Sequence, residues 1–95
     1  MKIKMKKFGK LLISRPAGKE AYLAACAYIL PQITGKRSET IQLDFSGVAV
    51  LSPSWADEFI TKIRQDFPNK LKLTNLNNAS IKSTLSILDR VNKDK

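Results

Sequence analysis

No histidine occurs anywhere in this chain. The side chain most often used as a general base near neutral pH, and the commonest metal ligand, is therefore missing. A histidine-dependent triad lacks its base and a zinc site its usual donor. Cysteine is almost as scarce. Cys26 stands alone, so no internal disulfide can form, and a reducing compartment is the simplest home. Acidic residues are few, 8 against 17 lysines and arginines, and the net charge of +9 is unevenly spread. Residues 1–19 carry seven basic groups and no acidic one, residues 20–68 a net −2, and residues 69–95 a net +4. No apolar run reaches the ~18 residues that a membrane span requires. Ala21–Leu30 follows a lysine-rich start as the apolar part of a secretion signal would. It lies behind Glu20, however, and so deep that cleavage would remove much of the chain. The expected location is the cytoplasm.

What is present reads as one globular domain over residues 1–95, with 43% hydrophobic and 26% charged residues. Lys2–Lys6 alternates lysine with Ile3 and Met5, the period of a strand with one wet face. Phe8-Gly9-Lys10 is expected to turn it into a second strand, Leu11–Ser14, making a first hairpin. Arg15-Pro16-Ala17-Gly18 reads as a break. From Lys19 the period becomes helical, with Tyr22, Leu23, Cys26, Ile29, Leu30 and Ile33 on one stripe, and Pro31 near its end. Gly35–Ser38 is a polar connection. Thr40–Ser46 alternates as a strand, Gly47 closes it, and Val48–Leu51 is an apolar link. Ser52-Pro53-Ser54 opens a second helix, with Asp57 and Glu58 in its first turn and Ala56, Phe59, Ile60, Ile63 and Phe67 on its apolar stripe. Leu71, Leu73 and Leu76 mark a further strand. Asn77–Ser80 caps a last helix bearing Ile81, Leu85, Leu88 and Val91. The order β-β-α-β-α-β-α implies an α/β fold with parallel strands wherever a helix crosses over. The expected architecture is a mixed four-stranded sheet with helices packed against it.

In open α/β sheets, ligands meet the loops that leave the carboxyl ends of the strands. Ser14–Lys19, Gly47–Ser54 and Asn75–Ser80 are such loops, and each runs into a helix start whose free N–H groups favour an anion. Arg15, Ser52, Ser54, Asp57, Asn77 and Asn78 converge there. None is a base beside a nucleophile, so the expectation is a binding protein, not an enzyme. Several short motifs fail. Gly35-Lys36-Arg37-Ser38 has Leu30 where a phosphate loop needs its first glycine. Asn78-Ala79-Ser80 fits a glycosylation acceptor that a cytosolic chain never exposes to the enzyme. Asp57 and Glu58 are adjacent on a helix, so they point apart and cannot pair on a metal. The lysines at 2, 4, 6, 7 and 10 would attract nucleic acid, anionic lipid or an acidic protein surface, or serve only as a solvated face.

The segment Leu43–Phe59, LDFSGVAVLSPSWADEF, resembles the central motif of STAS domains, the sulfate-transporter and anti-sigma-factor-antagonist family. Asp44, Ser46, Gly47 and Val48 match the end of that family's motif strand. Ser54 falls where the antagonists carry the serine that a kinase, itself the anti-sigma factor, phosphorylates. The match is incomplete: Ser52 replaces the family aspartate, Pro53 the preceding serine and Trp55 the glycine. With its SRPAGKEA and LTNLNN segments, the chain looks still more like a STAS-like family of uncharacterised bacterial proteins.

The resemblance implies a regulatory protein-interaction module with no cofactor. It would dock to an anti-sigma-like serine kinase or an ATPase of the histidine-kinase fold. The implied surface is Ser52, Ser54, Trp55 and Asp57, flanked by Arg15 and Asn77. Ser54 has two readings, a helix cap or a phosphorylation switch, and Ser52 competes for the cap. Trp55 either covers the sheet or, if exposed, anchors a partner. Arg15 either holds an acidic group of a partner or pairs with Glu20 or Asp57. Cys26, on an apolar stripe, is expected to be inert core. Two other functions remain open: a basic nucleic-acid-binding module, and a nucleotide site at the helix starts, as some STAS domains have.

Overall fold

Lysine alternating with an apolar residue makes β1 (Lys2–Lys4), whose Ile3 is buried while both lysines are exposed. The computed structural model describes residues 1–29, 31 and 40–93; Gly35–Ser38, Leu30 and Ile33 fall outside them. After β1 the chain does not fold back into a hairpin. Met5–Phe8 forms a 3₁₀ turn that buries Met5, and Gly9, at φ 122°, redirects the backbone into β2 (Leu11–Leu12). β1 instead lies parallel to β3 (Ile41–Asp44), which lies parallel to β5 (Leu71–Thr74). β2 lies parallel to β4 (Val50–Leu51), within the stretch expected to be only a link. Among the described residues there are thus two sheets, β1-β3-β5 and β2-β4, where the sequence had led us to expect one mixed sheet of four strands. The chain coils at Met5–Phe8 and runs onward, and α1 then carries it back, so β1 and β2 each pair with a strand that follows the helix and lies parallel.

Both sheets use the same two stretches of chain. Lys4 is paired with Asp44 and Leu11 with Val50, so six residues on one side face five on the other before pairing resumes. The shorter side closes with a turn in which the Val48 N–H donates to the Phe45 carbonyl at 3.1 Å. Gly47 supplies its positive φ, 85°, and the stem of Lys6 lies where a Cβ would be. Paired residues of parallel strands share a face. Ile3, Leu43 and Leu73 therefore point into the core, while Lys2, Gln42 and Lys72 point outward.

α1 spans Arg15–Tyr28. The stretch expected to be a break is its first turn: Ser14 accepts from the Ala17 N–H at 3.2 Å, and Pro16 fits where no hydrogen bond is lost. β4 leads in the same way into a helix over 53–66. This consists of α2 (Pro53–Ala56), a π turn (Asp57–Thr61) and α3 (Lys62–Asp66). It stops at Phe67 before Pro68, and Asn69, at φ 64°, turns the chain toward β5. α4 runs from Ala79 to Lys93. The first two helices lie side by side and run the same way. Gly18 makes this possible, because a Cβ there would stand 2.6 Å from the Trp55 carbonyl oxygen. Trp55, Phe45, Phe59, Leu12, Leu43 and Leu51 are the heart of the core.

Candidate functional site

The buried end of β3 gathers the most polar contacts. Asp44 is only 4% exposed, and its Oδ1 accepts from the Ser46 N–H at 3.0 Å, the Ser46 hydroxyl at 2.8 Å and the Asn75 amide at 2.5 Å. Lys2 Nζ lies 3.4 Å from Oδ2. These donors, the Ser46 N–H first and the Asn75 amide next, hold the Asp44 carboxyl well below the usual carboxylate range. Asn75 reaches it because it adopts a left-handed backbone, φ 59°, directly after β5. Asp44 therefore ties together the carboxyl ends of β3 and β5 and the side chain of Lys2 on β1. The sequence marks Asp44 by its place in the motif strand. Asn75, Ser46 and Lys2 carry no pattern that would assign them to it, because their meeting depends on which strands are neighbours.

The second cluster lies at the two serine-capped helix starts. Ser52, not Ser54, is the cap: its Oγ accepts from the Trp55 N–H at 3.2 Å and donates to the Ile13 carbonyl. That second bond fastens the entrance of one helix to the chain entering the other. Arg15, in the first turn of α1, reaches across to Glu58 at 2.8 Å and Asp57 at 3.1 Å. Lys62 adds a contact to Glu58 at 2.6 Å. Lys62 first and Arg15 second depress the Glu58 carboxyl, while Glu58 first and Asp57 second raise the Arg15 guanidinium. Two turns further on, the Tyr22 hydroxyl donates to Asp66, and Lys62 lies 5.5 Å from the Tyr22 ring centre. The bond to Asp66, helped by partial burial, pushes the Tyr22 phenol up. One row of polar contacts thus latches α1 to the helix over 53–66.

The six residues expected at the docking surface divide. Arg15, Asp57 and Ser54 come together at the rim, with Ser54 half-buried and its hydroxyl without a protein partner among the described residues. Ser52 is close by, but its hydroxyl is committed to structure. Trp55 is a correction. At 1% exposure it is core, stacked on Phe59 at 5.0 Å with Phe8 6.2 Å away, so it offers no anchor to a partner. Its ring turns inward because Ala56, Phe59 and Ile60 share its helix and face the same interior. Asn77 is exposed, apart from that latch. The neighbouring Asn78 has the structural role, donating to the Ala49 carbonyl at 2.7 Å and accepting from the Ser80 N–H at 2.7 Å. Cys26 is partly buried against the core. Among the described residues, no cluster of three or more His, Cys, Asp or Glu side chains is arranged to hold a metal ion, and no helix is long and apolar enough to cross a membrane.

Parallel strands that feed capped helices, with the motif strand at the centre, define an α/β domain of the STAS-like class. The family described as STAS-like domain of unknown function (DUF4325) matches residues 26–80, more than half of the chain, and the chain belongs to it. No curated protein and no solved structure matches the chain.

Proposed function

We propose that this domain is a regulatory protein-interaction module, without catalysis or cofactor of its own, that docks to an anti-sigma-like serine kinase or an ATPase of the histidine-kinase fold. The docking rim is the helix start at Ser52–Asp57 with Arg15 beside it; Asn77 is an exposed, outlying member, and Trp55 acts only as buried support. The observation that carries the reading is Ser54: half-exposed in the first helical turn, its hydroxyl without a partner among the described residues, one turn before the carboxylates that hold Arg15. A phosphate there would add about −1.5 to −2 charges. It would compete with Asp57 and Glu58 for Arg15 and repel both. The surface offered to a partner would change sign locally while the fold persisted.

The test is affinity capture from the source cell with the wild-type chain and with Ser54→Asp, followed by phosphopeptide mapping across residues 52–54. The expected result is an ATPase or kinase retained by the wild type, lost with Ser54→Asp, and phosphate on Ser54. A captured set with no such enzyme, together with an unmodified Ser54, overturns the reading.

A basic nucleic-acid module is the second reading, favoured by the placement of Lys2, Lys4 and Lys72 on one outward face. Phe8, the one aromatic among those lysines, packs on Phe59 at 5.3 Å, so it is no stacking platform. A gel-shift series separates the readings. Retention that falls steeply with salt supports this one, and no retention at about 50 mM salt ends it. A nucleotide site at the helix starts is tested by titrating ATP and GTP calorimetrically, where the absence of heat ends it.

A further inference from the structure

The two edges of the β2–β4 sheet are treated differently. On the β4 side, Leu51 turns its main-chain groups away from β2, and α4 covers them with side chains. Ser80 accepts from the Leu51 N–H at 3.2 Å, and the Thr84 hydroxyl donates to the Leu51 carbonyl. On the β2 side the corresponding residue is Leu11. Lys10 and Leu12 supply the main-chain groups that face β4, so the N–H and carbonyl of Leu11 point the other way. Among the described residues nothing bonds to them, nor to the Ile13 N–H.

The outer face of this small sheet is uncovered as well. Leu11, 63% exposed, is the register partner of Val50, 37% exposed, and Ile13, 51% exposed, continues the same face of the strand. This contrasts with the neighbouring sheet, whose outward row is Lys2, Gln42 and Lys72. Natural edges are blunted by shortness, by lysine and by polar faces. β2 has the first two, but its face is aliphatic. The charge around it has one sign. Lys6, Lys7 and Lys10 are exposed just before β2, and residues 1–19 contain no carboxylate. A second copy of this chain would bring the same positive charge against it.

We propose that β2 is an acceptor edge for an extended segment of a partner protein in which apolar and acidic residues alternate. The segment adds alongside Leu11–Ile13 as a further strand. Its main chain bonds to the free groups of Leu11 and Ile13. Its apolar side chains extend the face made by Leu11, Ile13 and Val50, and its carboxylates meet Lys7 and Lys10. Three main-chain groups are too few to hold a strand by hydrogen bonding alone, so the face and the charge must act with them. This surface adjoins the Ser54 rim through the Ser52 hydroxyl bonded to the Ile13 carbonyl, but it uses other groups and does not depend on phosphorylation.

The probe is a short synthetic peptide of alternating valine and glutamate, titrated into the full chain and followed by amide NMR and amide exchange. Expected are slowed exchange at Leu11 and Ile13, shifts confined to β2, β4 and the preceding lysines, and affinity that falls as salt rises. About tenfold weaker binding is expected when the peptide's inward amides are N-methylated, a change that leaves the protein's own folding untouched, and also in Leu11→Lys. Three results overturn the proposal: N-methylation without effect, equal binding of a valine–lysine peptide, or shifts at the lysines alone. So does sedimentation showing a dimer in which the Leu11 and Ile13 amides become protected, since the occupant is then another copy of this chain.

Discussion

Asp44 is ionised in surroundings that favour its charge, and the linkage between that charge and folding has a definite sign. A carboxyl depressed in the folded state stabilises it at any pH above the unfolded value, about 3.9, and that contribution is lost as pH falls through the folded value. Asp44→Asn should therefore lower the urea midpoint at neutral pH, and the gap to wild type should close as pH drops below about 4. A gap that stays constant through that range would mean the charge is not what Ser46 and Asn75 stabilise. The two serines at the helix start separate in the same way. Ser52→Ala removes the cap and should cost about 0.5–2 kcal/mol in chemical denaturation. Ser54→Ala should change stability by less than about 0.5 kcal/mol, because its hydroxyl has no hydrogen-bond partner among the described residues. If the two alanines cost the same, the assignment of the cap to Ser52 fails.

Elements depend on close approach as much as on pattern. Alanine at an ordinary helical glycine stabilises, but Gly18→Ala would drive a methyl into the Trp55 carbonyl and spread the two helices. The expected cost is about 1–3 kcal/mol, read as a drop in melting temperature with the latch from Arg15 to Glu58 disturbed. Thr61 offers the opposite case. Its hydroxyl is buried in the π turn without a partner among the described residues, so Thr61→Val should stabilise by about 1 kcal/mol. Much of this level was legible in the sequence: the apolar stripe Phe59, Ile60 and Ile63, the Ser52-Pro53 entrance and the alternation of Ile41 and Leu43 all reappear as read. What misled was punctuation. Pro16 and Gly18 read as a break, yet each serves α1, one at its first turn and the other at a helix crossing that no local pattern encodes. Gly9 read as the turn of a hairpin, although the chain already coils at Met5–Phe8 before it and β2 pairs with β4 instead.

Across the whole molecule, function was less legible than fold for the same reason. The residues of the docking rim were recognisable by type, but their standing as free or committed depends on partners distant in sequence. Arg15 meets Asp57 and Glu58 some forty positions away, and Trp55 meets Phe8 across a still longer span. The uneven charge, by contrast, was visible at once and keeps its meaning in three dimensions. Lysines precede and follow, along the first nineteen residues, an aliphatic strand whose outer face is exposed.

The central position of β3 also limits how the chain can be cut. Its two flanks are filled by β1 and β5, and β1 comes from outside the stretch 26–80 that matches the family. A fragment trimmed to that stretch would keep the motif strand but bare one side of it, strip β4 of its one strand neighbour among the described residues, and discard Gly18 with most of α1 and nearly all of α4. Expressed by itself it should give a collapsed, slowly aggregating polypeptide with no sharp melting transition, and restoring one should require residues 1–25 and the α4 residues Ile81, Leu85 and Leu88 together.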